Sequence, residues 1–257
     1  TIDGKEYPMR DMNFPTVDPA DPLRLTEEEE ELLHTLELSF RHNARLHEHV
    51  RFLYSNGSMY KCCNSNLLYH GCIPMTENRE FDGLMVGGKM YRGKELMDFI
   101  DTQVKNAYFL PEDAPEKEAC RDFMWYLWNG AKSPVFGKDK NGSFEHYFIE
   151  DPEVMRETMN PYYQLSEEEE TCDMILKEFG LPTKGSHIIN GHMPVKIKSG
   201  ETPIRAGGKL FIIDGGLSKA YQERTGIAGY TLIFNSHHLA LAEHKPFDPE
   251  RERTPKV

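Results

Sequence analysis
Two histidines stand in the same local setting. His70 follows the apolar run Leu67-Leu68-Tyr69 and precedes Gly71. His192 follows Ile188-Ile189, with Gly191 before it and Pro194 shortly after. A histidine at a strand's C-terminal end, with glycine beside it, lets backbone and imidazole approach an ion closely, and α/β sheets commonly build sites at such ends. Either histidine alone is better explained as a hydrogen-bonded residue at a turn; the repetition of the setting brings the metal reading level with it. Asp214 closes a third apolar run, Leu210 to Ile213, ahead of Gly215-Gly216. It has two readings: it orients a metal-ligating imidazole from behind, or it accepts backbone hydrogen bonds within the Gly-Gly turn.

Between His192 and Lys209 lie Lys196, Lys198 and Arg205, so this stretch is cationic within an acidic chain. Beside a metal site such cations hold a phosphate through charge-assisted hydrogen bonds; the alternative is solvated charge flanking a hairpin. Lys132 and Lys138, around Ser133-Pro134, are weaker candidates of the same kind. His34, His42, His47 and His49 do not share the i, i+4 spacing that sets two ligands on one helical face, so a solvated helix surface is expected there. His237-His238 is expected to be exposed as well.

The elements that must position these residues are legible in outline. Residues 1–25, rich in Pro and Asp, read as an extended lead-in. Thr26 and Glu29 form a capping box that opens a helix, with the acidic run Glu27 to Glu31 at its positive end. A second helix or a continuation covers Arg41 to Phe52 and ends at Asn56-Gly57. From Met59 the pattern turns to strands, which divides the chain into a lead-in with helices (1–58) and a remainder (59–257). Within the remainder, Gly93 to Phe109 and Pro115 to Trp128 read as helices, and 129–160 as surface loops. Ser166 and Glu169 are expected to form a second capping box, opening a helix through Phe179 that Gly180 closes. Strands are expected at 186–189, 209–213, 230–234 and 239–242, the last two joined as a hairpin at Asn235-Ser236. Helices layered with short strands imply an α/β fold.

Composition narrows the function classes. The 257 residues carry a net charge of −12, which argues against a nucleic-acid partner because a phosphate backbone needs a basic face. No apolar run approaches the roughly 20 residues needed to span a bilayer, and the polar stretch TIDGKEYPMRD is not expected to act as a secretory leader. Cys62, Cys63, Cys72, Cys120 and Cys172 contain no C-x-x-C pair. They are expected to be reduced thiols of a cytoplasmic protein.

Longer stretches add a family resemblance. NSNLLYHGCIP, MWYLWNGAKSPVFGK, EFGLPTKGSHIINGHMPVK and GGKLFIIDGGLSKAYQERTGIAGYTLIFNS resemble the C-terminal half of class III fructose-1,6-bisphosphatases, the Firmicutes/Bacteroidetes type. The likeness runs from about Asp3 to Phe247. That family belongs with the calcineurin-like metallophosphoesterases, so the resemblance implies part of a β-sandwich flanked by helices. It implies a gluconeogenic enzyme that hydrolyses the 1-phosphate of fructose 1,6-bisphosphate with a metal-activated water. The implied cofactor is a binuclear Mn2+ centre, although imidazole ligands suit zinc or iron as well. Tyr69-His70-Gly71 and Asn190-Gly191-His192 match two ligand motifs, which would place both histidines on one ion. Pro194 stands where many relatives have a further histidine, giving one ligand fewer.

The superfamily's DxH, GDxxDRG and GNHE motifs do not occur here. No catalytic acid or bridging carboxylate is therefore expected within this chain. The chain is expected to be the C-terminal portion of a longer polypeptide, to need that protein's N-terminal part, and to turn over little alone. A homo-oligomer is compatible with this. Two alternatives stand: another phosphoesterase acting on a dinucleotide or phosphoprotein, or a non-catalytic regulatory or oligomerisation module.

Overall fold
The computed structural model describes residues 1–216, 218–226 and 229–245, so the end of the expected second segment (246–257) lies outside the described residues. Helix α1 (Glu27–Arg41) opens with the expected capping box, in which Glu29 N donates to the Thr26 hydroxyl and Thr26 N donates to the Glu29 carboxylate. Helix α2 (Ala44–Asn56) follows, and neither helix buries a residue. Strands β1 (Tyr60–Cys63) and β2 (Asn66–Tyr69) form a hairpin, and β3 (Gly83–Val86) and β4 (Lys89–Arg92) form another. The second hairpin turns at Gly87-Gly88, both with positive φ, as a two-glycine turn allows. Helices α3 (Gly93–Phe109), α4 (Lys117–Asn129), the single turns α5 (Ser143–His146) and α6 (Tyr162–Leu165), and α7 (Glu169–Glu178) lead back to the sheet.

The sheet gains β5 (His187–Asn190), β6 (Ile204–Arg205) and β7 (Leu210–Ile212), in the order β1-β2-β5-β7-β6. β2, β5 and β7 run parallel through its centre, with an antiparallel strand at each edge. The register sets Leu67 beside Ile188 and Ile188 beside Leu210. This row is essentially fully buried and packs with Cys172, Ile175 and Leu176 of α7. A smaller cluster of Leu96, Ile100 and Leu127 joins α3 to α4. Helix α8 (Lys219–Thr225) and the hairpin β8 (Tyr230–Phe234) and β9 (Leu239–Glu243) complete the described chain. The chain is α/β, as the layering of helices and strands implied.

One local rule failed. Ser166 does not cap α7, because it ends α6 and is buried, its carbonyl accepting from Cys172 Sγ. The cap residue is Glu168, whose side chain makes no capping bond and pairs with Arg79 instead. The other end of α7 closes as expected: Gly180 has φ +72°, with Gly180 N bonded to Lys177 O and Leu181 N to Leu176 O. That pairing satisfies carbonyls the helix leaves unbonded. No helix among the described residues is long and apolar enough to cross a membrane.

Candidate metal centre
Parallel neighbours end on the same edge of a sheet, so the residues following β2, β5 and β7 must gather there. His70 follows β2, Gly191-His192 follows β5, and Asp214 follows β7 by two residues. Their backbones continue pairing past the strands: Gly191 N donates to His70 O at 2.9 Å, and Ile213 N to Asn190 O at 2.9 Å. The imidazoles meet, His70 Nε2 lying 3.1 Å from His192 Nδ1 with ring centroids 4.9 Å apart.

His192 is held in an uncommon conformation. Its φ is +66°, and Met193 N closes a tight turn around it by donating to Gly191 O at 2.7 Å. A non-glycine residue in this region costs on the order of 1–3 kcal/mol and persists only where its surroundings over-determine it. Here the surroundings include Phe136, whose carbonyl lies 3.0 Å from His192 Nε2. A carbonyl only accepts, so Nε2 carries the proton and a neutral His192 presents a bare lone pair at Nδ1. A backbone carbonyl behind the far ring nitrogen is the usual support of a metal-ligating histidine.

Phe136 belongs to a tight loop, residues 133–137, tied by bonds from Phe136 N and Gly137 N to the carbonyl of buried Ser133. The same loop braces the His70 turn, since Cys72 N donates to Pro134 O at 2.9 Å. A Cβ on Gly71 would lie 2.4 Å from Pro134 O, so the close approach requires glycine. Gly191 differs: a Cβ there meets nothing nearer than Asp214 Cβ at 3.5 Å. This loop lies in the stretch expected to be surface loops, where only Lys132 and Lys138 are weak candidates. Its contribution is made of carbonyls, which leave little mark on side-chain patterns; Ser-Pro held between two glycines was the available signal.

Desolvation on its protein side, and next the neighbouring His192, hold the His70 imidazole below its ordinary range, while Asp214 pulls it upward. Asp214 therefore faces His70 electrostatically. Its Oδ1, however, accepts from Gly216 N at 2.8 Å, and no hydrogen bond joins Asp214 to either ring among the described residues.

The cations lie apart from the His70 cleft. His70 lines a hollow of about 490 Å³ with Tyr60, Leu68, Pro134 and Ile189. Lys196 and Arg205 line a second, of about 140 Å³, with Tyr162, Tyr163 and Glu201. Asn190 and Gly191 border both. Arg205 is paired with Glu167 and Glu201, and Lys198 Nζ donates to Glu223 O at 2.6 Å. The Lys196 ammonium has no ion pair among the described residues. Lys132 pairs with Asp82 and Lys138 with Glu157. His34, His42, His47 and His49 are all exposed, as are His237 and His238.

The donor set fits an ion in part. Two nitrogens each about 2.1 Å from one ion lie about 3.0 Å apart at a right angle and about 3.4 Å apart at the tetrahedral angle. The observed 3.1 Å falls between these. Among the described residues no third His, Cys, Asp or Glu joins the pair to make a metal-holding group.

Comparison with known proteins gives a consistent family. A model described as Firmicute fructose-1,6-bisphosphatase matches residues 1–255. The chain is 54% identical over 245 residues to the class 3 fructose-1,6-bisphosphatase of Bacteroides fragilis, covering 95% of this chain and 37% of that protein. The class 3 enzymes of Fusobacterium nucleatum and Clostridium beijerinckii are each 52% identical, over 96% of this chain and 38% and 37% of theirs. The chain thus spans little more than a third of the length of these relatives. No solved structure matches it.

Proposed function
Because the chain belongs to the Firmicute fructose-1,6-bisphosphatase family, we propose that it forms part of a fructose-1,6-bisphosphatase, hydrolysing the 1-phosphate of fructose 1,6-bisphosphate. His70 and His192 hold one ion of a binuclear Mn2+ centre in a calcineurin-like sandwich, and the remaining ligands and the general acid come from a part of the protein outside these residues. The observation that carries this reading is the 3.1 Å approach of two imidazoles from neighbouring parallel strands, 122 residues apart in sequence.

Bound there, the ions supply Lewis-acid activation of water and neutralise charge developing on the phosphoryl oxygens. The chain's own groups prepare that site. Phe136 O keeps the His192 proton on Nε2, leaving Nδ1 free to ligate. His70 ligates through Nε2 once its proton sits on Nδ1, and Asp214 stabilises positive charge beside that ring. Lys196, open at the rim of the neighbouring hollow, is assigned to a phosphate of the substrate; Arg205 lines the same hollow, held by its carboxylate pairs, whereas Lys198 is tied to Glu223 O and lines neither hollow. The five free cysteines suit a cytoplasmic enzyme.

The test is phosphate release from fructose 1,6-bisphosphate by the protein carrying His70→Ala or His192→Ala. Each is expected to lose on the order of 100-fold or more in kcat/KM, since removing a ligand should exceed the 10–100-fold typical of its supporting partners. Activity near the parent's would remove the histidines from the centre. Loss of activity on other phosphoesters but not on this one would redirect the substrate assignment.

A further inference from the structure
We infer that Asn190 is a positioning residue that sets the separation of the two imidazoles, by bridging the turn that carries His70 to the strand that carries His192. The inference rests on the proposed role of the pair and gives a task to Asn190, which stands in the Asn190-Gly191-His192 motif without a role of its own.

Asn190 is the last residue of β5, only 4% exposed, and its row of the sheet belongs to the apolar face. The next row along that face is Leu67, Ile188 and Leu210, and Ile212 lies beside Asn190 itself. An aliphatic residue is what that face calls for. The amide is instead spent on two bonds: Nδ2 donates to Gly71 O at 3.3 Å and to the Tyr162 hydroxyl at 2.8 Å. Gly71 O can only accept, which fixes Nδ2 toward it and Oδ1 away. Oδ1 is left buried without a partner among the described residues. An orphaned buried acceptor carries a penalty that an aliphatic residue at this position would avoid.

The two donated bonds explain why it is kept. Gly191 N already donates to His70 O, so the Asn190 side chain adds a second tie, one residue further along the β2 turn. Tyr162 is fully buried and shares a 2.5 Å bond with the hydroxyl of Tyr69, itself at the end of β2. Burial raises both phenols far above their ordinary range, so the chain of bonds stays protonated and neutral. Tyr69, Tyr162, Asn190 and Gly71 thus form a closed brace beneath the histidines, one end on each strand.

Two variants test this in the metal-free and Mn2+-titrated protein. In a crystal structure of Asn190→Leu without metal, the His70 Nε2 to His192 Nδ1 distance is expected to open past hydrogen-bond range. Mn2+ affinity, followed by electron paramagnetic resonance, is expected to fall on the order of 10–100-fold. In a His192→Ala background Asn190→Leu should add nothing, because the brace acts only through the pair. Should Asn190→Leu fail to fold, Tyr162→Phe, which removes only one hydroxyl, carries the same readings with a smaller effect. A pair that stays at its parent separation, or an affinity loss that persists undiminished without His192, overturns the inference. These readouts are separate from catalysis: an unmoved pair with inactive histidine variants sinks the brace alone, and active histidine variants sink the metal reading alone.

Discussion

Replacing Gly71 with alanine isolates the contact that brings the His70 turn against its bracing loop. The added Cβ would lie 2.4 Å from Pro134 O, whereas real Cβ contacts essentially never fall below 3.0 Å. One side must therefore move by at least about 0.6 Å, and neither is a flexible side chain. The shift takes the Cys72 N to Pro134 O bond from 2.9 Å to about 3.5 Å, outside effective hydrogen-bond range. Crowding of this kind costs about 1–3 kcal/mol, and the lost bond about 1 kcal/mol more. The expected total is about 2–4 kcal/mol, or a fall in melting temperature of about 4–16 °C for a domain of this size. Denaturant unfolding with a common m-value measures it directly. Gly191→Ala is the control: its Cβ finds room, so it should change stability by less than about 1 kcal/mol in either direction. Equal stability for parent and Gly71→Ala would refute the bracing role of Pro134.

Three further outcomes follow from the same geometry. The unfolded chain takes up a proton on His70 that the folded chain resists, so this group's contribution is intact above about pH 6.5 and declines as pH falls from there toward the lower folded value; His70→Gln should flatten that acid slope, and coincident curves for parent and variant would contradict it. Nitrogen-15 spectra of the metal-free protein should show His192 protonated at Nε2 and bare at Nδ1, whereas the opposite tautomer would detach the ring from Phe136 O. A thiol reagent should label Cys62 and Cys63 quickly and Cys72, Cys120 and Cys172 slowly, because the last three are buried and the Cys72 thiol is pushed up to about 12; fast reaction at Cys72 in the native protein would show the His70 turn to be open.

Much of the scaffold was readable because its signals are local. The helix from Gly93 to Phe109 shows its period, Thr26 and Glu29 announce a helix start, and short apolar runs stop at His70, near His192 and at Asp214. What brings those stops together is not local. Strands β2 and β5 are neighbours across more than a hundred residues, and only their shared burial beneath α7 makes them so. The supporting groups were missed because carbonyls of Pro134 and Phe136 belong to the backbone, and nothing in a side-chain pattern marks which carbonyl a fold will use. The role of Asn190 is hidden for a related reason: the sequence shows it only as the residue before Gly191-His192, and its two bonds exist only after Tyr162 packs against the sheet. Ser166 shows the reverse case, where a correct local rule lost to burial, its hydroxyl being taken into the core before α7 begins.

The most direct measurement is an anomalous-scattering crystal structure of the protein loaded with Mn2+. A peak about 2.0–2.2 Å from both His70 Nε2 and His192 Nδ1 is the result expected from the paired strand ends. An ordered ion bound elsewhere, with the two imidazoles still hydrogen-bonded to each other, would contradict it.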